Sequence, residues 1–314
     1  MDETQSTIRV AILGGGLAGI SMLRGLLKYP HIAVDVYESR PSSREEGSAL
    51  EFSGYTEEAL YALDPSLEQS LGRAGGILTT AEVRMASGPF AGQVISANCT
   101  GSGAGEPHKT VVGCQDMLSE LSVGLPHRAL HYNTRVTAIH EGNINGSYNG
   151  NGAGGAVLYF ADGSQKQYDV VISADRMQGI SRQYVLDSSG QMSEPQPTGF
   201  WGLHVTVPVE RARRALGPEF LGSGPTTQVR WVGDGTFMQH VLLNGGRDVQ
   251  LVVYVRLDSQ YADGDESPWI KLFTPREFKQ LFTNCQPATC RGIVKVCIDR
   301  RNQKSRQYCP CTPI

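Results

Sequence analysis

The sequence lacks long apolar runs and clusters of basic residues. No stretch approaches the ~18 consecutive apolar residues of a membrane-spanning helix, and the start at Met1 has neither the basic nor the apolar region of a secretory signal. The net charge is −3, from 28 Lys and Arg against 31 Asp and Glu, and no basic run is long enough to follow a nucleic-acid backbone. These absences predict a cytoplasmic protein with no membrane span and no nucleic-acid partner.

The seven cysteines do not form the pattern of a metal site. Cys99 and Cys114 are isolated, the other five crowd the end of the sequence, and no two stand at C-x-x-C spacing. Because a zinc site generally uses close pairs of ligands, no metal is expected. The cysteines are predicted to be reduced thiols, and residues 285–314 to form an atypical C-terminal tail.

Glycine, by contrast, is abundant, and three glycines stand at the positions of a dinucleotide-binding fingerprint. The apolar segment Ile8–Leu13 predicts a buried strand, followed by a turn and a helix reaching about Tyr29. Gly14 permits the sharp turn, Gly16 lets the backbone approach a pyrophosphate, and Gly19 lets the helix pack close to the strand. The phosphates are then expected at the positive end of the helix dipole.

An acidic residue follows the next predicted strand. Ala33–Tyr37 is short and apolar in pattern, and Glu38 comes 24 positions after Gly14. A carboxylate there accepts hydrogen bonds from an adenosine ribose and disfavours a 2′-phosphate. The alternative is that Glu38 only begins a solvated loop with Ser39 and Arg40. The pattern predicts a cofactor that contains ADP, either FAD or NAD.

The rest of the first half alternates short helices and strands around one loop of low complexity. Residues 142–155 are almost wholly Gly, Asn and Ser, which predicts a flexible hairpin tip. Helices are predicted near residues 60–67 and 115–123, and strands over 76–85, 129–133, 135–141, 156–160 and 169–174. The last of these strands is expected to return to the sheet that begins the chain.

The second half changes to longer segments of strand type. Strands are predicted over 199–207, 227–232, 238–243 and 249–256, and helices over 209–216 and 275–282. Consecutive strands with short turns indicate an antiparallel sheet, which is suited to form the wall of a substrate pocket.

Taken together and in order, these motifs resemble the flavoprotein monooxygenases of the aromatic-hydroxylase type, and among them the fungal salicylate hydroxylase-like enzymes. The segments that carry the resemblance are Gly14–Gly19, Glu38, Glu46–Leu50, Ala59–Leu63, Asn133–Ile139, Phe160–Ser164 and Asp169–Asp175. The resemblance implies an α/β (α+β) fold. A Rossmann-like FAD-binding domain would span residues 1–195, and a mostly antiparallel sheet domain for substrate would span residues 196–284.

The resemblance also implies a cofactor and the residues that hold it. FAD would be the cofactor, NADH or NADPH would reduce it, and O₂ would supply the oxygen atom. The residues implied to contact FAD are Gly14, Gly15, Gly16 and Gly19 at the pyrophosphate, Glu38 at the ribose, Ala49 by close backbone approach, Val136 beside the adenine, and Asp175 in a second, Asp-Gly fingerprint.

The sequence departs from this family pattern at several points. Cys114 stands where the family commonly has an Arg, and Arg176 stands where it has the Gly after the acid. Asp175 has the alternative of pairing with Arg176 or Arg182 at a strand end. The third fingerprint, a Gly-Asp that opens a helix, is not found, which predicts a chain truncated at its C-terminus. A catalytically impaired FAD-binding remnant is therefore the alternative to an active enzyme.

Four polar residues on the predicted strands of the second half are candidates for substrate binding. His204 and Arg230 are the leading pair, with His240 and Tyr254 on neighbouring strands. Each has the alternative of an ordinary sheet residue. The predicted function is a FAD-dependent monooxygenase of secondary metabolism, using NAD(P)H and O₂ to hydroxylate an aromatic or polyketide-type small molecule. An NAD-dependent dehydrogenase is disfavoured, because residues 129–174 are rich in strands where such an enzyme would continue βαβ units.

Overall fold

The computed structural model describes residues 7–43, 49–97, 109–142, 155–176, 179–188, 200–217, 220, 228–256 and 274–299. The strands in chain order are β1 (Ile8–Leu13), β2 (Ile32–Tyr37), β3 (Ala49–Phe52), β4 (Ile77–Thr79), β5 (Ala81–Met85), β6 (Val94–Ala97), β7 (Lys109–Gly113), β8 (Leu130–His131), β9 (Val136–Glu141), β10 (Ala156–Phe160), β11 (Gln165–Tyr168), β12 (Val170–Ser173), β13 (Phe200–Pro208), β14 (Gln228–Val232), β15 (Thr236–Leu243) and β16 (Asp248–Arg256). The helices are α1 (Leu17–Leu26), α2 (Gly54–Leu63), α3 (Ser70–Arg73), α4 (Cys114–Ser122), α5 (Ile180–Ser188), α6 (Val209–Leu216), α7 (Pro275–Leu281) and α8 (Ala288–Ile298).

The chain divides into two compact units that interleave along the sequence. The first unit comprises residues 1–46, 59–70 and 114–195, and the second comprises 47–58, 71–113 and 196–314. Residues 47–58 and 71–113, which the sequence analysis assigned to the first domain, thus group with the second unit. In the part of the chain that the structure describes, no helix has the length and apolar character to cross a membrane.

The first unit is built on a parallel sheet with the strand order β12-β1-β2-β8. Val10 pairs with Val34 on one side and with Val170 on the other, so the strand after the hairpins does return to the starting sheet, as predicted. The strands predicted over 129–133 and 135–141 do not pair with each other. Residues of β8 pair with β2, whereas β9 joins β10 and β11 in a separate antiparallel sheet. The interior between the two sheets is apolar and includes Leu13, Leu158 and Phe160.

The second unit contains a six-stranded sheet with the order β13-β16-β15-β14-β5-β6. The four strands predicted for the second half are present as β13, β14, β15 and β16. Within this group, every pair of neighbouring strands is antiparallel. The prediction of one strand over residues 76–85 was wrong, because Thr80 separates β4 from β5. Strand β5 pairs in parallel with β14, whereas β4 joins a three-stranded sheet of order β3-β7-β4.

The six-stranded sheet has a core face covered by helices and an opposite face, which we name the polar face. The core face carries Val205, Leu251 and Trp231, which pack with residues of α6, α7 and α8 in the largest apolar cluster. The polar face carries His204, Gln239, Arg230, Tyr254 and Gln250, because residues directly opposite each other on paired strands point to the same side.

Residues 285–299, which were expected to belong to an atypical tail, form part of this core. Cys285, Cys290 and Cys297 are buried in the same cluster, and Ile293 of α8, the helix that contains the last two cysteines, is fully enclosed. The thiols act here as small apolar side chains. The rest of the predicted tail, residues 300–314, lies outside the described residues, as does most of the predicted flexible loop 142–155.

The helix predicted over residues 275–282 is present as α7, and a capping box forms its N-terminus. The Thr274 hydroxyl accepts the Glu277 N–H at 3.2 Å, and the Glu277 carboxylate accepts the Thr274 N–H at 2.8 Å. Pro275 occupies the first helical position, where a missing N–H costs nothing. This reciprocal capping box satisfies two donors that would otherwise be unpaired.

Candidate functional site

The turn between β1 and α1 accommodates only glycine at two of its fingerprint positions. Gly14 has a φ of +108°, and a Cβ on it would lie 2.2 Å from the carbonyl oxygen of Ala174. A Cβ on Gly19 would lie 1.9 Å from the Gly14 carbonyl oxygen. At Gly15 a Cβ would be 3.0 Å from that of Glu38. The turn therefore brings β1, α1 and the residue after β12 into backbone contact.

The start of α1 has the features that an anion-binding helix terminus needs. Gly16 is the N-cap residue, its φ of −81° and ψ of −171° are extended, and it contributes no side-chain cap. The first turn of α1 has no acidic residue. The positive end of the helix dipole is thus not neutralised by an acid of its own first turn, and a pyrophosphate fits this position.

Glu38 lies directly beside this turn. Its carboxylate accepts hydrogen bonds from the Gly15 N–H at 3.0 Å and from the N–H and the Nε of Arg40 at 2.9 and 3.1 Å. Burial would raise the pKa of the Glu38 carboxyl, but the Arg40 and Gly15 hydrogen bonds outweigh it and the pKa lies below its usual value. The alternative for Glu38 was the start of a solvated loop with Ser39 and Arg40. Arg40 does pair with Glu38, but the Glu38 side chain is buried and not solvated.

Asp175 follows β12 and lies on the other side of the Gly14 turn. It accepts hydrogen bonds from the Ser181 N–H at 3.1 Å and the Ser173 hydroxyl at 3.2 Å, and it also contacts the Ser181 hydroxyl. The carboxylate thus sits at the N-terminus of α5. Arg176 has a φ of +69°, so the backbone keeps the left-handed conformation that the resemblance associates with glycine at this position.

Val136 and Ala49, the other predicted cofactor contacts, fall in different units. Val136 begins β9, two residues after Thr134, whose N–H donates to the Glu38 carbonyl at 3.0 Å. Ala49 belongs to β3 of the second unit, and its N–H donates to the Gln250 side-chain oxygen at 2.7 Å. Cys114, at the position of the expected Arg, begins α4 in the first unit.

In the second unit, the structure places His204 and Arg230 in one row of the polar face. His204 is opposite Val252, Val252 is opposite Gln239, and Gln239 is opposite Arg230. The Tyr254 hydroxyl lies 3.2 Å from His204 Nε2, with the two rings edge to face at 5.7 Å. Burial lowers the pKa of His204 below its usual value, so its neutral form is favoured.

Arg230 is held by a carboxylate that the sequence analysis did not predict. Arg230 Nη2 donates to Glu51 Oε1 at 2.7 Å, and Gln228 Nε2 donates to the same oxygen at 2.9 Å. Lys109 Nζ lies 3.6 Å from Glu51 Oε2. Glu51 is separated from Arg230 by 179 positions along the chain, so no local pattern could have indicated the pair.

The structure places His240 on the core face, opposite to His204 and Arg230. His240 is opposite Leu251 and Val229, and it is 1% exposed. Its Nε2 is hydrogen-bonded to the Phe220 carbonyl oxygen. The interpretation of His240 as a candidate for substrate binding was therefore wrong, and the alternative of an ordinary sheet residue describes it. Among the described residues, no three His, Cys, Asp or Glu side chains are grouped to hold a metal ion.

Comparison with proteins of known activity points in one direction. The chain is 26% identical over 284 residues to a FAD-dependent monooxygenase, eupB of Phoma sp, and 27% identical over 267 residues to the 6-methylsalicylate 1-monooxygenase atA of Aspergillus terreus. A salicylate hydroxylase of Pseudomonas putida is 24% identical over 292 residues. These matches cover 85%, 82% and 90% of this chain, but 57%, 56% and 63% of the relatives. The chain thus spans somewhat more than half the length of these relatives. No family model matches it.

Solved structures share the fold. A salicylate hydroxylase in complex with its substrate superposes with a TM-score of 0.70 at 20% identity, over 97% of this chain and 67% of that one. The protein CtdE in complex with FAD and a substrate gives a TM-score of 0.72 at 17% identity, over 95% and 67%. The predicted α/β fold of the salicylate hydroxylase-type monooxygenases is therefore confirmed.

Proposed function

We propose that this chain binds FAD and acts as a FAD-dependent monooxygenase of the salicylate hydroxylase type. It would use NADH or NADPH and O₂ to hydroxylate an aromatic or polyketide-type small molecule in secondary metabolism. The observation that carries the proposal is the joint geometry of the β1–α1 turn and Glu38. The similarity to the FAD-dependent monooxygenase eupB and to the 6-methylsalicylate 1-monooxygenase atA supports it.

The first unit supplies the groups for the ADP half of the cofactor. The peptide N–H groups that follow Gly16 would bind the pyrophosphate, and Glu38 would accept hydrogen bonds from the ribose hydroxyls. Asp175 and Val136 are retained as predicted contacts. When bound, FAD supplies the redox chemistry, since in its reduced form it activates O₂ for transfer of one oxygen atom to an electron-rich ring.

The polar face of the second unit supplies groups that can orient a ring. His204 and Tyr254 form a hydrogen-bonded pair whose neutral state is favoured by the burial of the imidazole. Phe237 lies beside Tyr254, with ring centroids 6.0 Å apart. These residues would hold a phenolic hydroxyl and contact the ring, whereas Arg230 stands further along the same row.

The test is whether the purified chain retains FAD after desalting and whether the bound flavin turns over electrons. We expect a flavin absorbance spectrum that bleaches when NADH or NADPH is added and recovers under air. Flavin that is retained but remains oxidised with both donors would support the impaired remnant. Absence of flavin after saturation with FAD would contradict the proposal.

Replacement of the ribose acceptor gives a quantitative prediction. Glu38→Gln removes the charge but keeps the size of the side chain, and it is expected to weaken FAD binding about 10- to 100-fold, because hydrogen bonds to a charged group contribute about 1.5–3 kcal/mol. The dissociation constant is measured by quenching of flavin fluorescence.

The matched control for this variant is Glu68→Gln, an exposed residue of the same unit. The control is expected to bind FAD like the unaltered chain. If Glu38→Gln keeps the affinity of the control while both remain folded, Glu38 does not contact the ribose.

A further inference from the structure

Glu51 places a fixed negative charge on the polar face, where the proposed function puts the substrate. Its two carboxylate oxygens contact Arg230 and Gln228 on one side and Lys109 on the other. The side chains of Glu51 and Arg230 are 27% and 28% exposed, so both are partly withdrawn from water. One carboxylate is therefore shared by two cations of the second unit.

This carboxylate is ionised near neutral pH. Burial would raise the pKa of Glu51, but the hydrogen bond from Gln228 and the charges of Arg230 and Lys109 lower it below its usual value. The three ionised side chains together carry one positive charge. Replacement of Glu51 by a neutral residue of the same shape would leave two.

We propose that Glu51 is a specificity-determining residue, whose carboxylate occupies Arg230 and Lys109 from within the protein and so weakens the preference of this site for rings that carry a carboxylate over uncharged phenols. The inference rests on the proposed function, because it concerns the substrate of the same site. It limits the role of Arg230, one of the leading candidates for substrate binding, because part of its charge is neutralised within the protein.

The geometry of the row explains why the effect reaches the substrate. His204 and Arg230 are separated by three strand spacings, about 14 Å between their backbones. A ring held at the His204–Tyr254 end would place its carboxylate on this row at a distance of the order of 10 Å from Glu51. Like charges at that distance in a partly buried site repel enough to change an affinity about tenfold.

The test compares two probes that differ only by a carboxylate, 3-methylphenol and 6-methylsalicylate. Their dissociation constants are measured by isothermal titration calorimetry on the full chain in the presence of excess FAD, for the unaltered protein and for Glu51→Gln. Glu51→Gln is expected to shift the ratio of the two constants about tenfold towards 6-methylsalicylate.

The matched control is Glu210→Gln, which removes the same charge from α6 of the same unit, where Glu210 pairs with exposed Arg213. It is expected to leave the ratio unchanged. Because the expected result is a gain in binding, a variant that merely misfolds would not produce it.

The outcomes separate this inference from the proposed function. If both probes bind and Glu51→Gln leaves their ratio unchanged, or shifts it towards 3-methylphenol, the role of Glu51 is overturned while the proposed function stands. If neither probe binds to either protein although FAD is retained, the role of Glu51 and the aromatic substrate class are both overturned. An equal shift of the ratio in the Glu210→Gln control and in Glu51→Gln would also overturn the role of Glu51. The shift would then be caused by the change in overall charge.

Discussion

Gly19→Ala is expected to abolish FAD retention and to lower the free energy of unfolding by about 3 kcal/mol, at the upper end of the range typical of overpacking. The reason is geometric. A methyl group on Gly19 would lie 1.9 Å from the carbonyl oxygen of Gly14, and this partner is backbone, which cannot rotate away. Relief requires α1 to move away from the turn, which would displace the N–H groups that face the pyrophosphate.

Gly72→Ala is the control for this variant. Gly72 lies in α3, and a Cβ on it would meet no atom within 4 Å. We expect this change to leave the unfolding free energy unchanged or slightly raised, since alanine favours helix. Urea denaturation measures both variants, and flavin absorbance after desalting measures retention. Equal stability and equal flavin content of the two variants would show that α1 does not pack on the turn as described.

The second large effect expected is a loss of stability in mild acid caused by His240. Burial is the main cause that lowers its pKa, from 6.5 to about 4, and the nearby charge of Arg84 lowers it further against the opposing effects of Phe220 and Glu82. The Phe220 carbonyl can only accept a hydrogen bond, so Nε2 carries the proton. Within the described residues, Nδ1 has no hydrogen-bond partner, and protonation there would bury a charge.

The direction of the pH effect follows from linkage. Below pH 6.5 the unfolded chain takes up a proton on His240 that the folded chain resists until about pH 4. Stability is therefore lost as the pH falls through this interval, by about 3 kcal/mol in total from this residue. Above pH 6.5 His240 is mainly neutral in both the folded and the unfolded chain, so its titration no longer changes the stability.

His240→Gln isolates the effect, because glutamine does not titrate and its amide can donate to the same carbonyl. Unfolding free energies at pH 7 and pH 4.5 are compared with those of His140→Gln, an exposed histidine. We expect the loss between the two pH values to be smaller in His240→Gln by about 2–3 kcal/mol, and unchanged in the control. Parallel losses in the two variants would show that His240 is not buried in its neutral form.

The polar face is divided into a part that is covered by other strands and a part that carries the candidate substrate groups. The three-stranded sheet β3-β7-β4 covers one part of this face, where Val111 packs on Val241 and the Ala49 N–H donates to Gln250. The other part of the face carries His204, Tyr254 and the Glu51–Arg230 pair. Apolar contacts thus hold the three-stranded sheet against the covered part. The polar groups that could determine substrate specificity lie in the other part.

The sequence by itself determined the features that rest on local spacing. The three glycines and Glu38 predicted the turn after β1, because the steric need for glycine and the position after the second strand are properties of a few consecutive residues. The segments of strand type in the second half predicted β13 to β16, and residues 275–282 were predicted as the helix that the structure shows as α7. Their order along the chain was enough for the resemblance to the flavoprotein monooxygenases.

Only the tertiary structure decided which distant residues meet. It placed β5 beside β14, enclosed the cysteines of α8 in the core, turned His240 away from His204, and brought Glu51 to Arg230. The physical reason is that both choices depend on packing between segments far apart in sequence. Such packing decides which face of a strand points to the core and which partner neutralises a buried charge. A one-residue change of register in β15 would exchange the two faces, and composition alone does not encode that choice.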